Sequence, residues 1–458
     1  MSLFRLASDD LKKWFAGKMR KPLVIRGARQ VGKSTLVQNF AIESKLDLLE
    51  INFEIKSLKS LEARTLNPES LFLEIEALFD QKLSESTLIF FDEIQKQPAI
   101  LPALRYFREK LPNVPIIAAG SLLEFVLKKH DFDMPVGRIE YLHLGPLTFS
   151  EFLFARKKKL LWSQVGDSFD RNLPLTIAQH EQMNEAFREY IFVGGMPEAV
   201  STFISTKDPK EVRRVHASIV ETYRDDFPKY ANQTATNYLG AVFEKLPQTL
   251  GRKVKYASLS QDFQSRDIKM AIELLCLARV VLPCYHSNGS GLPLAAQKDP
   301  SVFKLYFLDV GLYNFLMGIT WMQAQDYHND SILTKGIIAE QFIAQHLAYH
   351  KGRNFAPSLF YWLRDKKSDN AELDFVTDWE GTVVPIEVKA GQAGTLKSLI
   401  QFVYEKKVTR AVRLDLKQRD FAVEDVVYNY RNAGKIHKVK FDLFNLHLGL
   451  IEKVTNDI

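Results

Sequence analysis

Short apolar runs and amphipathic segments alternate along the first 150 residues of the chain. The apolar runs, each of strand length, lie at 23–25, 48–53, 88–91, 116–119 and 139–144. Residues 70–79 and 101–110 repeat apolar side chains at helical spacing, and residues 1–20 form a predicted lead-in helix. Strands that alternate with helices are typical of a parallel sheet. The pattern therefore predicts an α/β fold for this part of the chain.

The turn after the first predicted strand carries candidate phosphate-binding chemistry. It reads Gly27-Ala28-Arg29-Gln30-Val31-Gly32-Lys33-Ser34-Thr35 and fits the spacing G-x-x-x-x-G-K-[ST] between a strand and a helix. Backbone amides of such a turn converge on a triphosphate, and the helix N-terminus adds partial positive charge. Lys33 would neutralise the β and γ oxygens, and Ser34 would offer its hydroxyl to Mg²⁺. An ordinary glycine turn does not explain the Lys33-Ser34 pair, so the sequence predicts ATP and Mg²⁺ as cofactors.

A pair of acidic residues, the second candidate part of this site, follows the apolar run at 87–91. Asp92 and Glu93 come directly after this run, which is apolar from Leu88 onward, as a strand buried on both faces should be. Ligands gather at the carboxyl ends of parallel strands, so Asp92 would complete the Mg²⁺ shell. Glu93 would orient or deprotonate the attacking water. The alternative is an Asp-Glu pair that merely ends a strand at the surface. We expect ATP hydrolysis.

Two later residues are further candidates for the same site. Ser121 ends the predicted strand at 116–119, where it could sense the γ-phosphate, although a plain strand-end turn also places a serine there. Arg138 could supply a guanidinium to a phosphate in its own subunit or a neighbouring one. A single arginine in a turn is more commonly just solvated.

Four stretches carry a resemblance to a known family. They read KPLVIRGARQVGKST at 21–35, AGSLL at 119–123, GRIEYLHLGPLTFSEF at 137–152 and VGGMPE at 193–198. With these motifs the whole chain resembles prokaryotic AAA-superfamily P-loop ATPases, of an archaeal or STAND-like clade, that carry a C-terminal domain of unknown function. The resemblance implies an ATPase domain, a helical and winged-helix middle, and a C-terminal fold related to PD-(D/E)xK restriction endonucleases. It also implies that the chain could form oligomers.

The sequence pattern in the middle of the chain predicts helices followed by a hairpin. Residues 149–230 have a helical pattern that resembles a lid, and it is interrupted at Gly194-Gly195 and Pro197. A helix start at 254–260, a periodic helix at 268–278 and then the segment Arg279-Val-Val-Leu282 and a loop follow the winged-helix order. Five cations accompany this segment and could meet phosphates: Arg252, Lys253, Lys255, Arg266 and Lys269. Winged helices also dock proteins, so DNA and a protein partner both stay open.

The last 120 residues contain a D…E-x-K arrangement. Asp374 lies in an alternating run at 371–376 that predicts a strand, and Glu387 and Lys389 share one face of the next predicted strand. Two carboxylates and a lysine can hold a divalent metal and cleave a phosphodiester. Glu340 lies on an apolar helical stripe upstream. Burying a carboxylate there is unfavourable unless it binds a partner, and a role as the fourth group of the metal site would explain its position. Alternating charges also produce this short motif by chance.

Composition limits the number of domains, the location and the partners of the protein, but it does not decide among these interpretations. The 458 residues suggest about three domains at the usual ~150 residues each, and 46% hydrophobic residues suffice for sizeable cores. No run of eighteen apolar residues occurs and the first residues lack a secretory signal, so we expect a cytoplasmic location and no membrane contact. A net charge of +6 permits contact with DNA without requiring it. Cys276 and Cys284 lack metal-site spacing and predict neither zinc nor a disulfide.

The predicted fold class is α/β with four domains. They are an ATPase core with a P-loop parallel sheet (1–150), a helical lid (151–235), a winged-helix-like domain (236–325) and an α/β restriction-endonuclease-like domain (326–458). Three functions stay open. ATP hydrolysis could switch a nuclease-like effector; the protein could be a nucleotide-dependent scaffold or signalling ATPase whose inactive C-terminal fold binds a protein partner; or it could be a DNA-dependent ATPase that does not cut.

Overall fold

The computed structural model describes residues 3–62, 67–125, 137–259, 262–326, 335–349, 352–364, 371–389, 396–416, 422–432 and 435–454. The contacts within the chain divide it into two compact units. The first comprises Met1–Gly145, Leu277–Arg279 and Gly352–Ala356, and the second comprises Pro146–Cys276, Val280–Lys351 and Pro357–Ile458. The finer division into four domains stays a prediction. Across these described ranges, no helix is long and apolar enough to cross a membrane.

The first unit is built on a five-stranded parallel sheet. Its elements are α1 (Ala7–Ala16), β1 (Leu23–Arg26), α2 (Lys33–Ser44), β2 (Asp47–Asn52), α3 (Pro68–Phe79), β3 (Thr87–Asp92), α4 (Ile100–Lys110), β4 (Ile116–Gly120) and β5 (Glu140–His143). The strand order is β2-β3-β4-β1-β5, and neighbouring strands run parallel throughout. The sequence prediction of a parallel α/β sheet is therefore confirmed, with all five strands at the expected places.

Burial explains why the apolar runs become central strands. All 6 residues of β3 and all 5 of β4 are buried, as continuous apolar runs allow. Phe91 stacks on Phe53 with ring centroids 5.9 Å apart and meets the ring of Phe107 edge-on at 5.6 Å. Each fully buried phenylalanine side chain contributes about 1.5–3 kcal/mol of hydrophobic free energy. This core fixes β3, and with it the carboxylates that follow β3.

The register of the sheet brings the ends of four strands to one edge. Asn52 at the end of β2 pairs with Asp92, and Arg26 at the end of β1 pairs with Gly120. In a parallel sheet the segments that follow these residues must leave at the same edge. The turn that begins at Gly27 therefore emerges on the same side as Asp92 and as the residue after Gly120.

The second unit begins with helices. They are α5 (Phe149–Ala155), α6 (Lys159–Asp170), α7 (Ile177–Val193), α8 (Pro197–Thr206), α9 (Pro209–Tyr230) and α10 (Gln233–Lys245). The predicted helical pattern from 149 to about 230 is confirmed, and its break falls between α7 and α8. The function of these helices as a lid stays a prediction.

A buried carboxylate enforces the break between α7 and α8. Gly194 has a φ of +72°, and a Cβ added to it would lie 2.1 Å from Asp309 Oδ1. The same carboxylate accepts hydrogen bonds from the backbone amides of Gly195 at 2.6 Å and Leu312 at 3.0 Å. Burial nevertheless raises the pKa of Asp309 to about 6. Only glycine combines this backbone conformation with so close a neighbour.

Two short helices and a hairpin follow in the expected order. The elements are α11 (Tyr256–Leu259), α12 (Ser265–Leu277), β6 (Val281–Ser287), β7 (Lys298–Phe307), α13 (Val310–Leu316) and α14 (Trp321–Gln325). Strands β6 and β7 pair antiparallel. The five cations of this segment, Arg252, Lys253, Lys255, Arg266 and Lys269, are all exposed. The winged-helix designation, and DNA or protein as its partner, stay predictions.

The last elements form two sheets with two long helices. They are α15 (Lys335–Tyr349), β8 (Leu359–Arg364), β9 (Ala371–Leu373), β10 (Phe375–Trp379), β11 (Thr382–Lys389), α16 (Lys397–Lys406), β12 (Arg410–Asp415), β13 (Ala422–Asn432), β14 (Lys435–Leu446) and α17 (Ile451–Val454). One sheet has the order β7-β6-β8-β9 and the other β10-β11-β12-β14-β13. In the second sheet β12 is parallel to both of its neighbours, and the two outer pairs are antiparallel.

The single strand predicted at 371–376 is wrong, because the chain bends at Asp374. β9 ends at Leu373 and pairs with β8, whereas β10 begins at Phe375 and pairs with β11. Asp374 uses its side chain to accept a hydrogen bond from the Val388 amide at 2.8 Å. A strand residue normally makes such bonds through its backbone, so the alternating pattern concealed the change of sheet.

Candidate functional site

The turn between β1 and α2 has the backbone that a phosphate-binding loop needs. Gln30 and Gly32 have φ values of 62° and 89°, so the loop turns through two left-handed residues before α2 begins at Lys33. A Cβ on Gly27 would lie 2.3 Å from the carbonyl oxygen of Leu144. Glycine is required at Gly27 by this close approach and favoured at Gly32 by its conformation. The first amides of α2 lack partners within the helix and are available to an anion.

Lys33 is buried at the start of α2 and points back over the loop. Its ammonium donates hydrogen bonds to the carbonyl oxygens of Gly27 at 3.2 Å and Ala28 at 2.8 Å. Burial lowers the pKa of Lys33 to about 8, and the nearby carboxylates of Glu93 and Asp92 oppose that shift. A cation held against the carbonyl oxygens of the loop is placed to meet phosphate oxygens.

Ser34 and Asp92 meet at the edge of the sheet. The Ser34 hydroxyl donates a hydrogen bond to Asp92 Oδ2 at 2.7 Å, and the Glu93 amide donates to Asp92 Oδ1 at 2.9 Å. Asp92 is buried, and burial raises its pKa although the Ser34 hydrogen bond opposes the rise. A hydroxyl and a carboxylate at this distance are hard oxygen donors of the kind that Mg²⁺ prefers. The donor set therefore fits the predicted magnesium ion.

Two neighbouring side chains hold Glu93, the residue after Asp92. Its backbone is left-handed with a φ of 52°, a conformation that costs a non-glycine residue free energy. Gln95 donates a hydrogen bond to its carboxylate, and the Ser121 hydroxyl donates to Glu93 Oε2 at 3.4 Å. A Cβ on Gly120 would lie 2.5 Å from Gln95 Oε1, so this residue must be small. The strained backbone and these contacts orient the Glu93 carboxylate. The sequence analysis did not identify Gln95 as part of this site.

A second group of charged side chains lies in the C-terminal sheet. The register of β10 with β11 places Asp374 beside Glu387, since Phe375 pairs with Ile386. Lys389 donates to Glu387 Oε1, so these two side chains share one face as predicted. Glu387 is buried, and its Oε2 finds no hydrogen-bond donor among the described residues. Burial raises the pKa of Glu387 to about 7, reinforced by the Asp374 charge.

Glu340 joins this group from α15. It accepts a hydrogen bond from the Tyr306 hydroxyl at 2.9 Å, and a Cβ on Gly251 would lie 3.1 Å from its Oε2. Burial raises the pKa of Glu340 to about 8, and the charge of Asp374 adds to the rise. Burial likewise raises the pKa of Asp374. The structure thus brings together the four residues predicted for this site.

The fit of this group to a metal ion is incomplete. Carboxylate oxygens suit Mg²⁺ or Mn²⁺, and Glu387 Oε2, which lacks a hydrogen-bond partner within the described ranges, is a candidate ligand atom. Among the described residues, however, no three His, Cys, Asp or Glu side chains are arranged to hold one ion. The sequence also gave no signal for Lys304, a buried lysine that pairs with Glu372 beside this group.

Comparison with protein-family models shows what kind of domain carries the loop, Asp92 and Glu93. A family model described as AAA domain matches residues 19–153, which include the loop, Asp92 and Glu93. Residues 19–153 are a P-loop AAA-type ATPase domain. The resemblance drawn from the motifs is confirmed for this domain. Two further family models, each described as a domain of unknown function, DUF8612 and DUF4143, match residues 184–323 and 335–432.

Solved structures resemble the chain only weakly. The structure of C. elegans PCH-2 is 14% identical over 44% of this chain and 62% of that chain, with a TM-score of 0.29. The Thermotoga maritima RuvB Holliday junction branch migration motor is 14% identical over 61% and 89%, with a TM-score of 0.28. The Aeropyrum pernix ORC1 protein in complex with DNA is 12% identical over 70% and 93%, with a TM-score of 0.28. The chain therefore spans less than two thirds of PCH-2. At such TM-scores the likeness supports no conclusion, and no curated protein matches significantly.

Within the ATPase domain, Arg138 lies away from the P-loop. Glu140 at the start of β5 pairs with Leu23 at the start of β1, whereas the loop follows the other end of β1. Arg138 precedes β5, is exposed, and lies 3.5 Å from the Glu109 carboxylate on α4. Within one subunit it is therefore at the opposite edge of the sheet, because four strand residues span about 13 Å. A role at the phosphates, in its own subunit or in a neighbouring one, stays a prediction, and this placement favours the neighbouring subunit.

A charged cluster beside the P-loop was missed by sequence reasoning. Glu124 accepts a hydrogen bond from Arg279 at 2.8 Å and lies 3.6 Å from Arg26, the residue before the loop. His143 is buried nearby, where burial and then the two arginines lower its pKa to about 3. The charge of Arg279 also contributes, after burial, to the lowered pKa of Lys33. Arg26 adjoins the motif, but nothing local in the sequence connects Arg279 to it.

Proposed function

We propose that the ATPase domain binds Mg²⁺-ATP through the P-loop and hydrolyses it with Asp92 and Glu93. The observation that carries this proposal is the 2.7 Å hydrogen bond between Ser34 and Asp92, beside the buried ammonium of Lys33. A hydroxyl, a carboxylate and an ammonium at the carboxyl edge of a parallel sheet are the groups that a magnesium-bound triphosphate requires. The amides of residues 27–35 would surround the phosphates.

The residues divide the chemistry among them. Lys33 would move from the loop carbonyls to the β and γ oxygens, while Ser34 and Asp92 hold the magnesium shell. Glu93 would accept a proton from water as the water oxygen bonds to the γ-phosphorus. The bond between that phosphorus and the β-γ bridging oxygen breaks, which leaves ADP and inorganic phosphate. Ser121, through its contact with Glu93, would position that carboxylate.

Lys33→Ala tests this function directly. Calorimetric titration with Mg²⁺-ATP should show tight binding to the unchanged protein and none to the variant, because the charge on the β and γ oxygens is lost. Lys110→Ala is the matched control, since Lys110 is an exposed lysine of the same domain at the end of α4. Unchanged affinity in Lys33→Ala would refute the proposed role.

We further propose that ATP hydrolysis acts as a conformational switch for a nuclease-like C-terminal region, with DNA as the candidate substrate. The support is the grouping of Glu340, Asp374, Glu387 and Lys389, including a buried Glu387 oxygen that has no hydrogen-bond partner in the described part of the chain. A divalent metal held there would supply an activated water for phosphodiester cleavage. The carboxylates would bind this metal, and Lys389 would steady the charge on the phosphate.

The alternative is a nucleotide-dependent scaffold with an inactive C-terminal fold. It is favoured by one observation: among the described residues no three carboxylates are arranged as a metal-ion site. Plasmid incubated with Mg²⁺ or Mn²⁺, with and without ATP, distinguishes the two functions. Cleavage that disappears in Asp374→Ala supports the nuclease. Absence of cleavage with DNA-stimulated ATP turnover supports a DNA-dependent ATPase, and absence of both supports the scaffold.

A further inference from the structure

Arg5 is a buried arginine that precedes α1 and reaches the P-loop. It is 7% exposed, and it lies before residues 19–153, the part of the chain that the AAA family model matches. Its Nη1 donates a hydrogen bond to the carbonyl oxygen of Val31 at 2.9 Å, and its Nη2 donates to that of Gly145 at 2.7 Å. Burying a guanidinium is unfavourable unless acceptors replace the water around it. These two acceptors therefore indicate what Arg5 does.

The contacts of α1 hold Arg5 in place. Trp14 on this helix is buried, and the ring of Phe15 meets that of Phe40 on α2 edge-on with centroids 5.8 Å apart. The Ser8 amide donates to the Arg5 carbonyl oxygen at 2.9 Å, which ties the backbone of Arg5 to the first turn of α1. All of these residues belong to the first compact unit. The domain that carries the loop therefore also positions Arg5.

The hydrogen bond to Val31 fixes the orientation of one peptide group of the loop. An anion site needs amides that face the anion, and carbonyl groups that face away from it need donors of their own. In a trans peptide the carbonyl oxygen and the next amide hydrogen point in opposite directions, so the Gly32 amide points away from Arg5. Gly32 has a φ of 89°, and glycine tolerates either orientation of the peptide before it. Without Arg5, this peptide could turn its carbonyl oxygen toward the phosphates.

The second hydrogen bond ties the loop to the segment after β5. The Leu144 amide donates to the Arg26 carbonyl oxygen at 2.7 Å, which continues the pairing of β1 with β5 by one residue. Gly145 follows directly, and its carbonyl oxygen accepts from Arg5. Arginine suits this bridge because its terminal nitrogens form a rigid planar fork, whereas lysine offers a single nitrogen.

We propose that Arg5 is a positioning residue of the nucleotide site, which keeps the Gly32 amide directed at the phosphates by holding the Val31 carbonyl. This inference rests on the proposed binding of Mg²⁺-ATP by the P-loop. Arg5 acts through one peptide group of the loop rather than through contact with the reacting atoms. Its removal should therefore weaken phosphate binding and leave the chemical step nearly unchanged.

The first test is calorimetric titration of the full chain with Mg²⁺-ATP. Arg5→Met should raise Kd about 5- to 20-fold, because the amide that meets the phosphates is no longer held in place. Arg5→Lys keeps the charge, but its single nitrogen ends short of the fork, so Kd should rise by about threefold or more. Partial unfolding alone would lower the number of binding sites and leave Kd unchanged. Unchanged Kd in both variants overturns the inference.

Arg20→Met is the matched control. Arg20 follows α1 and also donates to two backbone carbonyls, that of Phe15 at 3.1 Å and that of Asn113. Arg20 and Asn113 precede β1 and β4, so they lie at the edge of the sheet opposite to the loop. This variant should leave Kd unchanged even if it lowers Tm. If it raises Kd as much as Arg5→Met does, a loosened α1 explains the effect and the inference is overturned.

The second test separates the phosphates from the rest of the nucleotide. Mg²⁺-tripolyphosphate should bind Arg5→Met more weakly than the unchanged protein by the same factor as Mg²⁺-ATP, because the Gly32 amide faces phosphate. In steady-state assays KM for ATP should rise, while kcat stays within about threefold. Unchanged binding of tripolyphosphate, or a fall in kcat without a rise in KM, overturns the inference.

The variants also separate this inference from the proposed function. If Lys33→Ala and the unchanged protein bind Mg²⁺-ATP equally, the proposed nucleotide site is wrong and the role of Arg5 falls with it. If Lys33→Ala loses binding and Arg5→Met does not, the proposed function stands and only the role of Arg5 falls. Weaker binding in both variants supports both conclusions.

Discussion

Arg279 donates a hydrogen bond to Glu124 at 2.8 Å, although 155 residues separate them in the chain. Glu124 also lies 3.6 Å from Arg26, directly before the P-loop. Contacts place Leu277–Arg279 in the same compact unit as the ATPase domain, while the elements on either side of this segment belong to the other unit. A residue far away in the sequence thus adds a positive charge to the neighbourhood of the nucleotide site.

We expect Arg279→Ala to weaken ATP binding about 5- to 30-fold, since loss of a partly screened positive charge near a triphosphate removes about 1–2 kcal/mol. Calorimetric titration with Mg²⁺-ATP measures this change. Arg138→Ala is the matched control, because Arg138 lies at the opposite edge of the sheet and should not alter affinity in its own subunit. Equal affinities for the two variants would contradict the prediction.

Glu93→Gln should separate binding from hydrolysis. The amide keeps the shape of the side chain and its contact with Gln95, but it cannot accept a proton from water. We expect ATP affinity to stay within a few-fold while turnover falls about 10²–10⁴-fold, the usual contribution of a general base. Phosphate release under single-turnover conditions is the measurement. Near-normal turnover would assign the base to another residue.

Arg138 is predicted to act on a neighbouring subunit, if on any. Mixing Arg138→Ala with Glu93→Gln protein should then give more ATP turnover than the average of the two separate proteins. The reason is that a Glu93→Gln subunit can offer its intact Arg138 to a neighbour with an intact Glu93. Arg105→Ala, which changes another exposed arginine near Glu109, is the control for the mixture. Simple additivity would exclude the role.

The free energy of unfolding should fall on acidification because of His216. Its Nε2 donates to the Val193 carbonyl at 2.9 Å, and burial lowers its pKa from 6.5 to about 4. Between these two values the unfolded chain binds the proton and the folded chain does not, so lowering the pH favours unfolding. The cost attributable to His216 is about 2 kcal/mol at pH 5 relative to pH 7. Urea unfolding at both pH values should show this loss in the unchanged protein. His216→Gln, which keeps a donor but does not titrate, should lose less by about that amount.

Local sequence patterns were sufficient to predict a structural feature wherever one segment of the chain carries all of the information for that feature. The strands of the parallel sheet follow from continuous apolar runs, and the loop before α2 follows from the spacing of Gly27, Gly32 and Lys33. The approach of Ser34 to Asp92 could also be expected, because parallel strands end at one edge. Asp374 shows the limit of this reasoning: alternation cannot reveal that a strand changes sheets at one residue.

The sequence by itself determined the ATPase domain of this protein and the residues of its loop, since periodicity and motif spacing are short-range properties. Only the tertiary structure decided that Arg138 lies far from the loop of its own subunit, that Arg279 lies close to it, and that Lys304 pairs with Glu372. These three facts depend on which distant segments pack together. Such packing is set by burial and charge summed over the whole fold, and no short window of the chain contains that sum.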